Sequence, residues 1–302
     1  MKKAKIILNP YANRWGAKKR VTAVEEALRA ADLDFDMVLI PEPHQGTRLA
    51  FESVEAGYDI VIAAGGDGTV NEVVNGLIQA AGNGPTIPFG ILPIGTGNDF
   101  NDMAHLPRNL SEAARAFAAG KTRQIDAGQV TFDGKIHYFD NNCAAAMEPL
   151  VTIENERLVK LSGNIRYIVA LVKALAKLKA WDMKITWEGG GYEGPTYLLS
   201  ICNSPRTGGL FPMAPDASLS DGLFDFVLAP EISKLTVLVV LARLFRGTHI
   251  HHKKVTYGRT PNLTIVSKPG SPIHADGEVL TEAASEIRYD ILPGKITLLS
   301  PE

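Results

Sequence analysis

The chain is short of several things, and each shortage excludes something. Cysteine occurs only at Cys143 and Cys202. Two thiols so far apart in sequence build neither a disulfide framework nor a zinc site, and they suit a reducing cytoplasm. Neither charge is in surplus: the net charge is −2 over 302 residues, so the basic excess that selects nucleic acid is missing. Long apolar runs are absent too. The longest, Leu235 to Phe245, is about half of a membrane span and contains Arg243. After the two N-terminal lysines the apolar residues stop at Asn9-Pro10, too soon for a signal-peptide core. The expectation is a soluble cytoplasmic chain with no transmembrane segment, able to meet a membrane only from its surface.

Two nucleotide signatures are also lacking. No GxxxxGK[ST] occurs, so there is no Walker lysine. Two glycine loops begin GxGxxG, but Asn71 and Phe100 stand where the last glycine belongs. A P-loop NTPase and a standard dinucleotide dehydrogenase both lose support.

What is present is a real core and a change of pattern. The chain is 45% hydrophobic and 21% charged, enough for one large domain or two ordinary ones. Over the first 120 or so residues, strand patterns (5–10, 35–40, 59–64, 88–94) alternate with helical ones. Val21, Val24 and Leu28 mark one helix, and Val70, Val73, Val74 and Leu77 mark another. Ser111 is placed to cap a further helix. Alternation of this kind predicts an α/β domain with a parallel, doubly wound sheet. From about Gln124 strand patterns dominate. Asp133-Gly134 signals a hairpin in 129–139, and a second hairpin with a glycine-rich tip is expected over 183–203. Strands are expected near 223–228, 254–257, 262–267 and 286–291, and helices near 153–180 and 231–246. The expected domains are 1–124, α/β, and 125–292, β-rich, with about 293–302 returning to the first.

Three strands of the first domain end in distinctive turns: Asn9-Pro10, Gly65-Gly66-Asp67-Gly68-Thr69 and Gly95-Thr96-Gly97-Asn98-Asp99. In a parallel sheet these turns share the carboxyl edge, where ligands bind. Glycines admit a phosphate close to backbone N–H groups, and the helix beginning near Thr69 adds its positive end. Asp67 and Asp99 hold equivalent places in two such loops. Bare carboxylates beside a triphosphate repel it, unless Mg²⁺ lies between them or one accepts a proton from an attacking hydroxyl. The alternative is that Asp67 is only a turn or cap residue.

GGDGTVNEVVNG (65–76) and LPIGTGNDF (92–100) resemble the diacylglycerol kinase catalytic-domain family. That family takes in soluble bacterial lipid kinases and is related to sphingosine and ceramide kinases. NPYANRWGAKK (9–19), GGLFPMAPDASLSDGLFD (208–225) and HADGE (274–278) resemble its other motifs, in the expected order. The resemblance implies an NAD kinase/phosphofructokinase-like first domain, a β-rich sandwich-like second domain and an ATP-dependent lipid kinase using Mg²⁺. Its default acceptor is diacylglycerol, and a homodimer is compatible with it. The nucleotide would meet Asn9, Pro10, Arg14, Gly66, Asp67, Gly68, Thr69, Asn71, Glu72, Thr96, Asn98 and Asp99. Asp221 would hold a metal ion, helped by backbone carbonyls at Ser218 and Leu223. Glu278 is the implied proton acceptor, with Asp276 and Asp67 as rivals.

The chain departs from the family pattern twice. Glu42 falls near the position of a nucleotide-contacting threonine, and Cys143-Ala144-Ala145-Ala146, followed by Met147 and Glu148, replaces a glycine-rich turn. Two other functions are weighed: a kinase of a soluble acceptor such as NAD, against which the late Asp-Gly-Glu argues, and a nucleotide-binding regulator with weakened catalysis, favoured by the alanine run. Elsewhere, His249, His251, His252, Lys253 and Lys254 are expected to form a solvated basic loop and not a metal site. Ile165 to Ala180 reads as a packing helix with a lysine face, or as a membrane-surface helix.

Overall fold

In the computed structural model, which describes residues 3–12, 16–158, 161 and 163–301, the chain divides into two units. One is Met1–Ala127 with Pro293–Glu302, and the other is Gly128–Leu292. In the first unit β1 (Lys3–Leu8), α1 (Val21–Ala30), β2 (Asp34–Leu39), α2 (Gly46–Glu55), β3 (Ile60–Gly65), α3 (Asp67–Ala81), β4 (Phe89–Pro93), α4 (Asp99–Met103) and α5 (Leu110–Ala119) follow one another. β1 pairs in parallel with β2 and β3, and β3 pairs in parallel with β4. Every residue of β3 and β4 is buried, which is why both read as unbroken apolar runs. Alternate residues Ile6, Leu8, Ile60 and Ile62 join Val24 and Leu28 of α1 and Phe117 of α5 in one apolar cluster. α2 packs on α3.

β5 (Thr122–Phe132) leads into β6 (Lys135–Phe139) of the second unit. There follow β7 (Asn142–Ala146), α6 (Met147–Arg157), α7 (Gly163–Ala176), β8 (Trp181–Trp187), β9 (Gly190–Cys202), β10 (Phe224–Pro230), α8 (Lys234–Leu244), β11 (Thr256–Thr260), β12 (Asn262–Ala275) and β13 (Glu278–Leu299). Pairing is antiparallel and runs β11-β10-β9-β7-β12-β13, with β8 joined to both β9 and β12. The core centres on Phe139, whose ring stacks on Phe224 at 5.5 Å and meets Tyr289 edge-on at 6.5 Å.

Several local expectations give way to packing. Asn109, not Ser111, caps α5: its Oδ1 accepts the N–H groups of Ser111 and Glu112 at 2.9 and 3.2 Å. Asparagine two residues earlier leaves Ser111 inside the first turn. The single helical stretch expected over 153–180 is two helices, and the first begins at Met147, directly after the alanine strand β7. Ala146 turns this corner at φ 72°, a conformation that glycine usually takes. His249 is not solvated. It is buried, with Nε2 3.0 Å from the Met213 carbonyl, and burial lowers its pKa.

The end of β13 lies in the first unit. Leu298 pairs in parallel with Phe89, and the Lys295 ammonium donates to the carbonyls of Gly82 and Gly84 at 2.5 and 2.6 Å. Burial pushes that ammonium below the ordinary lysine value, and the two carbonyls accept its protons. Lys295→Met leaves both carbonyls at the end of α3 without their donor. It should lower unfolding stability by about 1–3 kcal/mol, read as a drop in the denaturant midpoint.

Candidate active site

The three turns of the first unit lie together. β3 ends at Gly65, whose carbonyl accepts the N–H groups of Ile94 and Gly95 at 3.0 and 2.9 Å. The two glycine loops then touch backbone to backbone. A Cβ on Gly95 would lie 2.3 Å from Gly66 Cα, and one on Gly66 would lie 2.6 Å from the Gly97 carbonyl oxygen. Asn9, at the end of β1, donates from Nδ2 to Thr69 Oγ1 at 2.9 Å and accepts the Tyr11 N–H at 2.9 Å.

Around these turns is an open cavity of about 400 Å³. Asn9, Tyr11, Ala12, Pro43, His44, Gly66, Asp67, Gly68, Thr69, Glu72, Gly95, Thr96 and Gly97 line it. α3 starts at Asp67; in its first turn the N–H groups of Asp67 and Val70 donate to the Gly97 and Gly66 carbonyls, while Gly68 and Thr69 line this space. Gly68 meets nothing within 4 Å of where a Cβ would stand. Among the described residues the lining has two carboxylates and no lysine or arginine. Backbone dipoles are thus the visible counter to anionic charge, and a bound cation would suit the acids.

Asp67 and Asp99 are each the first residue of a helix, but they are used differently. The Asp67 Oδ1 accepts the Phe100 N–H at 3.1 Å, its own N–H donates to the Gly97 carbonyl at 3.2 Å, and its carboxylate lines the cavity. Asp99 and Asn98 are half-buried and do not line it; Asn98 donates to the Gly95 carbonyl at 3.1 Å. Pro10 and Asn71 are buried behind the wall. Arg14 lies outside the described residues. Glu72 ties in the turn before α2: Oε2 accepts the Gly46 N–H at 2.7 Å and Oε1 is 3.7 Å from His44 Nδ1. Glu42, at the departed threonine position, is exposed and accepts from Gln45 at 3.3 Å.

In the second unit HADGE is a hairpin turn, with Asp276 at φ 46°, Gly277 at φ 84° and Ala275 opposite Glu278. Asp276 accepts three backbone N–H groups: Asp140 at 2.9 Å, Asn141 at 3.1 Å and Asn142 at 2.8 Å. Glu278, two residues on, is exposed. His137 lies in the field of both carboxylates, but burial outweighs them and lowers its pKa. Asp221 accepts the Leu223 N–H at 3.1 Å, and its other oxygen pairs with the Arg259 guanidinium. Ser218 Oγ accepts the Ser220 N–H at 3.4 Å. Among the described residues no three His, Cys, Asp or Glu side chains group as metal ligands.

One buried pair has no counterpart in the sequence reading. Glu148 Oε2 accepts from Asn142 Nδ2 at 3.0 Å and lies 3.2 Å from His274 Nε2, with both side chains buried. The partners are 126 residues apart, so no local spacing announces them. They fix the alanine strand beside the strand that carries the Asp276 turn.

The comparisons with known proteins agree with one another. Residues 3–130 match the family profile described as the diacylglycerol kinase catalytic domain. Residues 141–300 match the YegS C-terminal NAD kinase beta sandwich-like domain. Diacylglycerol kinase of Bacillus subtilis is 31% identical over 280 residues, spanning 92% of this chain and 90% of the relative. That of Staphylococcus saprophyticus is 30% identical over 280 residues, spanning 92% and 89%. A crystal structure of a diacylglycerol kinase from Bacillus anthracis covers 99% of this chain and 97% of its own, with TM-score 0.73 at 21% identity, a likeness of fold. With two family profiles in sequence along it and relatives matched over nearly their whole length, this chain belongs to the diacylglycerol kinase family and is a kinase that transfers phosphate to a hydroxyl acceptor.

Proposed function

We propose that the chain transfers the γ-phosphate of ATP to the hydroxyl of a membrane-derived lipid, with diacylglycerol, giving phosphatidic acid, as the first acceptor to test. The observation that carries this reading is the cavity of the first unit. Glycine loops, a helix N-terminus and two carboxylates face one space with no lysine among its described residues. The names of the relatives supply the acceptor class.

In this reading the first unit holds the nucleotide and the second holds the acceptor. The backbone N–H groups at Gly68 and Thr69 bind phosphate oxygens, since a helix start presents N–H groups that have no partner within the helix. Gly66 and Gly95, having no side chains, let the two loops close up and keep those N–H groups in fixed positions. Asp67 keeps one oxygen on Phe100 N–H, which orients the carboxylate toward the cavity. Mg²⁺ held there would neutralise charge on the phosphates. Asp99 opens α4 in the same loop pair but does not line the cavity, so no step is assigned to it. A cation at Asp221 would have to displace Arg259 from that carboxylate, so no step is assigned to it.

For the acceptor proton we choose Glu278 over Asp276. A general base must come within reach of the acceptor hydroxyl. Asp276 accepts three backbone N–H groups with both oxygens, which fixes it within its turn. Glu278 is exposed, so an acceptor hydroxyl can reach it.

With labelled ATP and Mg²⁺, label should enter diacylglycerol in mixed micelles. Label in NAD with none in any lipid of the panel would overturn the reading. Asp67→Asn should cut turnover by about 100-fold or more while leaving the melting temperature near that of the parent; near-full activity would remove Asp67 from the chemistry. The two late acids should separate. Glu278→Gln is expected to lose about 100-fold or more in kcat with little change in stability. Asp276→Asn turns an amide toward backbone donors and should cost about 1–3 kcal/mol in a denaturation curve.

A further inference from the structure

Glu278 follows directly on the Asp276 turn, and that turn is tied to β7 through Asn142. The Asn142 N–H donates to Asp276 Oδ1 at 2.8 Å, and the Asp276 N–H donates back to the Asn142 carbonyl at 2.9 Å. The side chain of Asn142 is itself held at both ends. Its Oδ1 accepts the Thr207 hydroxyl at 3.2 Å, and its Nδ2 donates to Glu148 Oε2 at 3.0 Å. The same Glu148 oxygen lies 3.2 Å from Nε2 of His274, which stands two residues before Asp276 on β12. The contacts close a ring that runs from Glu148 through His274, the Asp276 turn and Asn142 back to Glu148. Asn142, Glu148, Thr207 and His274 are all buried, so bulk water does not compete for these bonds.

Stability does not explain the ring. Glu148 Oε1 and His274 Nδ1 are buried with no hydrogen-bond partner among the described residues. Burying unmatched polar atoms costs free energy that apolar side chains of the same volume would avoid. What the polar groups add is direction, since a satisfied buried network specifies one arrangement of the elements it joins. We propose that Glu148 and His274 are positioning residues for phosphoryl transfer: they hold the Asp276 turn so that Glu278 stands where the acceptor hydroxyl reaches it. His274 pairs with Val279 and Ala275 with Glu278, so His274 and Glu278 point to opposite faces of the hairpin. The effect therefore passes through the backbone of the turn. The inference rests on Glu278 as the proton acceptor, and it is also measured without any chemistry.

Two substitutions at one position test it. His274→Gln keeps an N–H donor for Glu148 and gives up the ring; His274→Phe keeps a ring and gives up the donor. With labelled ATP and diacylglycerol, the phenylalanine variant should lose about tenfold in kcat with KM for ATP unchanged, and the glutamine variant should stay within about threefold of the parent. A role in packing alone gives the reverse order and overturns the proposal, as does an equal kcat for all three proteins. Should His274→Phe melt early, Glu148→Met with His274→Leu replaces it. That pair fills the space with apolar atoms, so it should melt no lower than the parent and still lose about tenfold in kcat; a parental kcat would overturn the proposal. Hydrogen exchange supplies the readout without chemistry. The N–H groups of Asn142 and Asp276 should exchange about tenfold faster in the phenylalanine variant and at parental rates in the glutamine variant. Unchanged exchange in the phenylalanine variant sinks only the positioning role. The exchange difference in a protein that phosphorylates no lipid sinks only the lipid kinase assignment.

Discussion

The contact between Gly66 and Gly95 is the constraint on which the candidate site depends. Two loops that leave neighbouring strands, β3 and β4, approach until backbone meets backbone, and no side chain fits between them. The hydrogen bonds across the gap, from Ile94 and Gly95 to Gly65 and from Asp67 to Gly97, exist because of that approach. It sets where α3 begins, and therefore where its first N–H groups point. It also brings Asp67 within reach of Phe100, so the acid in the middle of a phosphate-type loop has a structural bond and a face on the cavity at once. Asp67 is thus neither a pure cap nor a free acid.

The same dipeptide serves two ends in the second unit. Asp133-Gly134 and Asp276-Gly277 adopt nearly the same backbone, with φ values of 48° and 77° in one and 46° and 84° in the other. Asp133 is exposed, and its turn only reverses the chain. Asp276 gathers the three N–H groups that lead into β7, so its turn pins one strand end to another far away in sequence. Backbone conformation follows from local residue type; what the carboxylate does depends on what packs beside it. That difference is why adjacent acids, Asp276 and Glu278, are assigned different work.

Much of the fold could be read in advance, for physical reasons. Continuous apolar runs at 59–64 and 88–94 had to be buried on both faces, and β3 and β4 are. The Asp133-Gly134 turn formed where its φ-tolerant residues stand. The motifs at 65–76 and 92–100 were legible because backbone proximity demands glycine, whatever the rest of the chain does. What escaped reading was tertiary. Asp276-Gly277 carries the same hairpin signal as Asp133-Gly134, inside a stretch whose family resemblance points to chemistry. The capping of α5 by Asn109, the burial of His249 under α8 and the Glu148–His274 pair depend on partners brought together by the fold. The Arg259–Asp221 pair belongs with these: thirty-eight residues separate the two, and the family resemblance implies only a metal at that carboxylate.

The central claim is that the glycine loops of the first unit hold the phosphates of the donor. A crystal structure of the chain with ADP and Mg²⁺ tests it most directly. The account predicts phosphate density against the backbone of Gly66–Thr69 and Thr96–Gly97, with the metal ion on the Asp67 side of the cavity. Nucleotide density away from both loops, or phosphates bound with Gly68 and Thr69 left uncontacted, would contradict it.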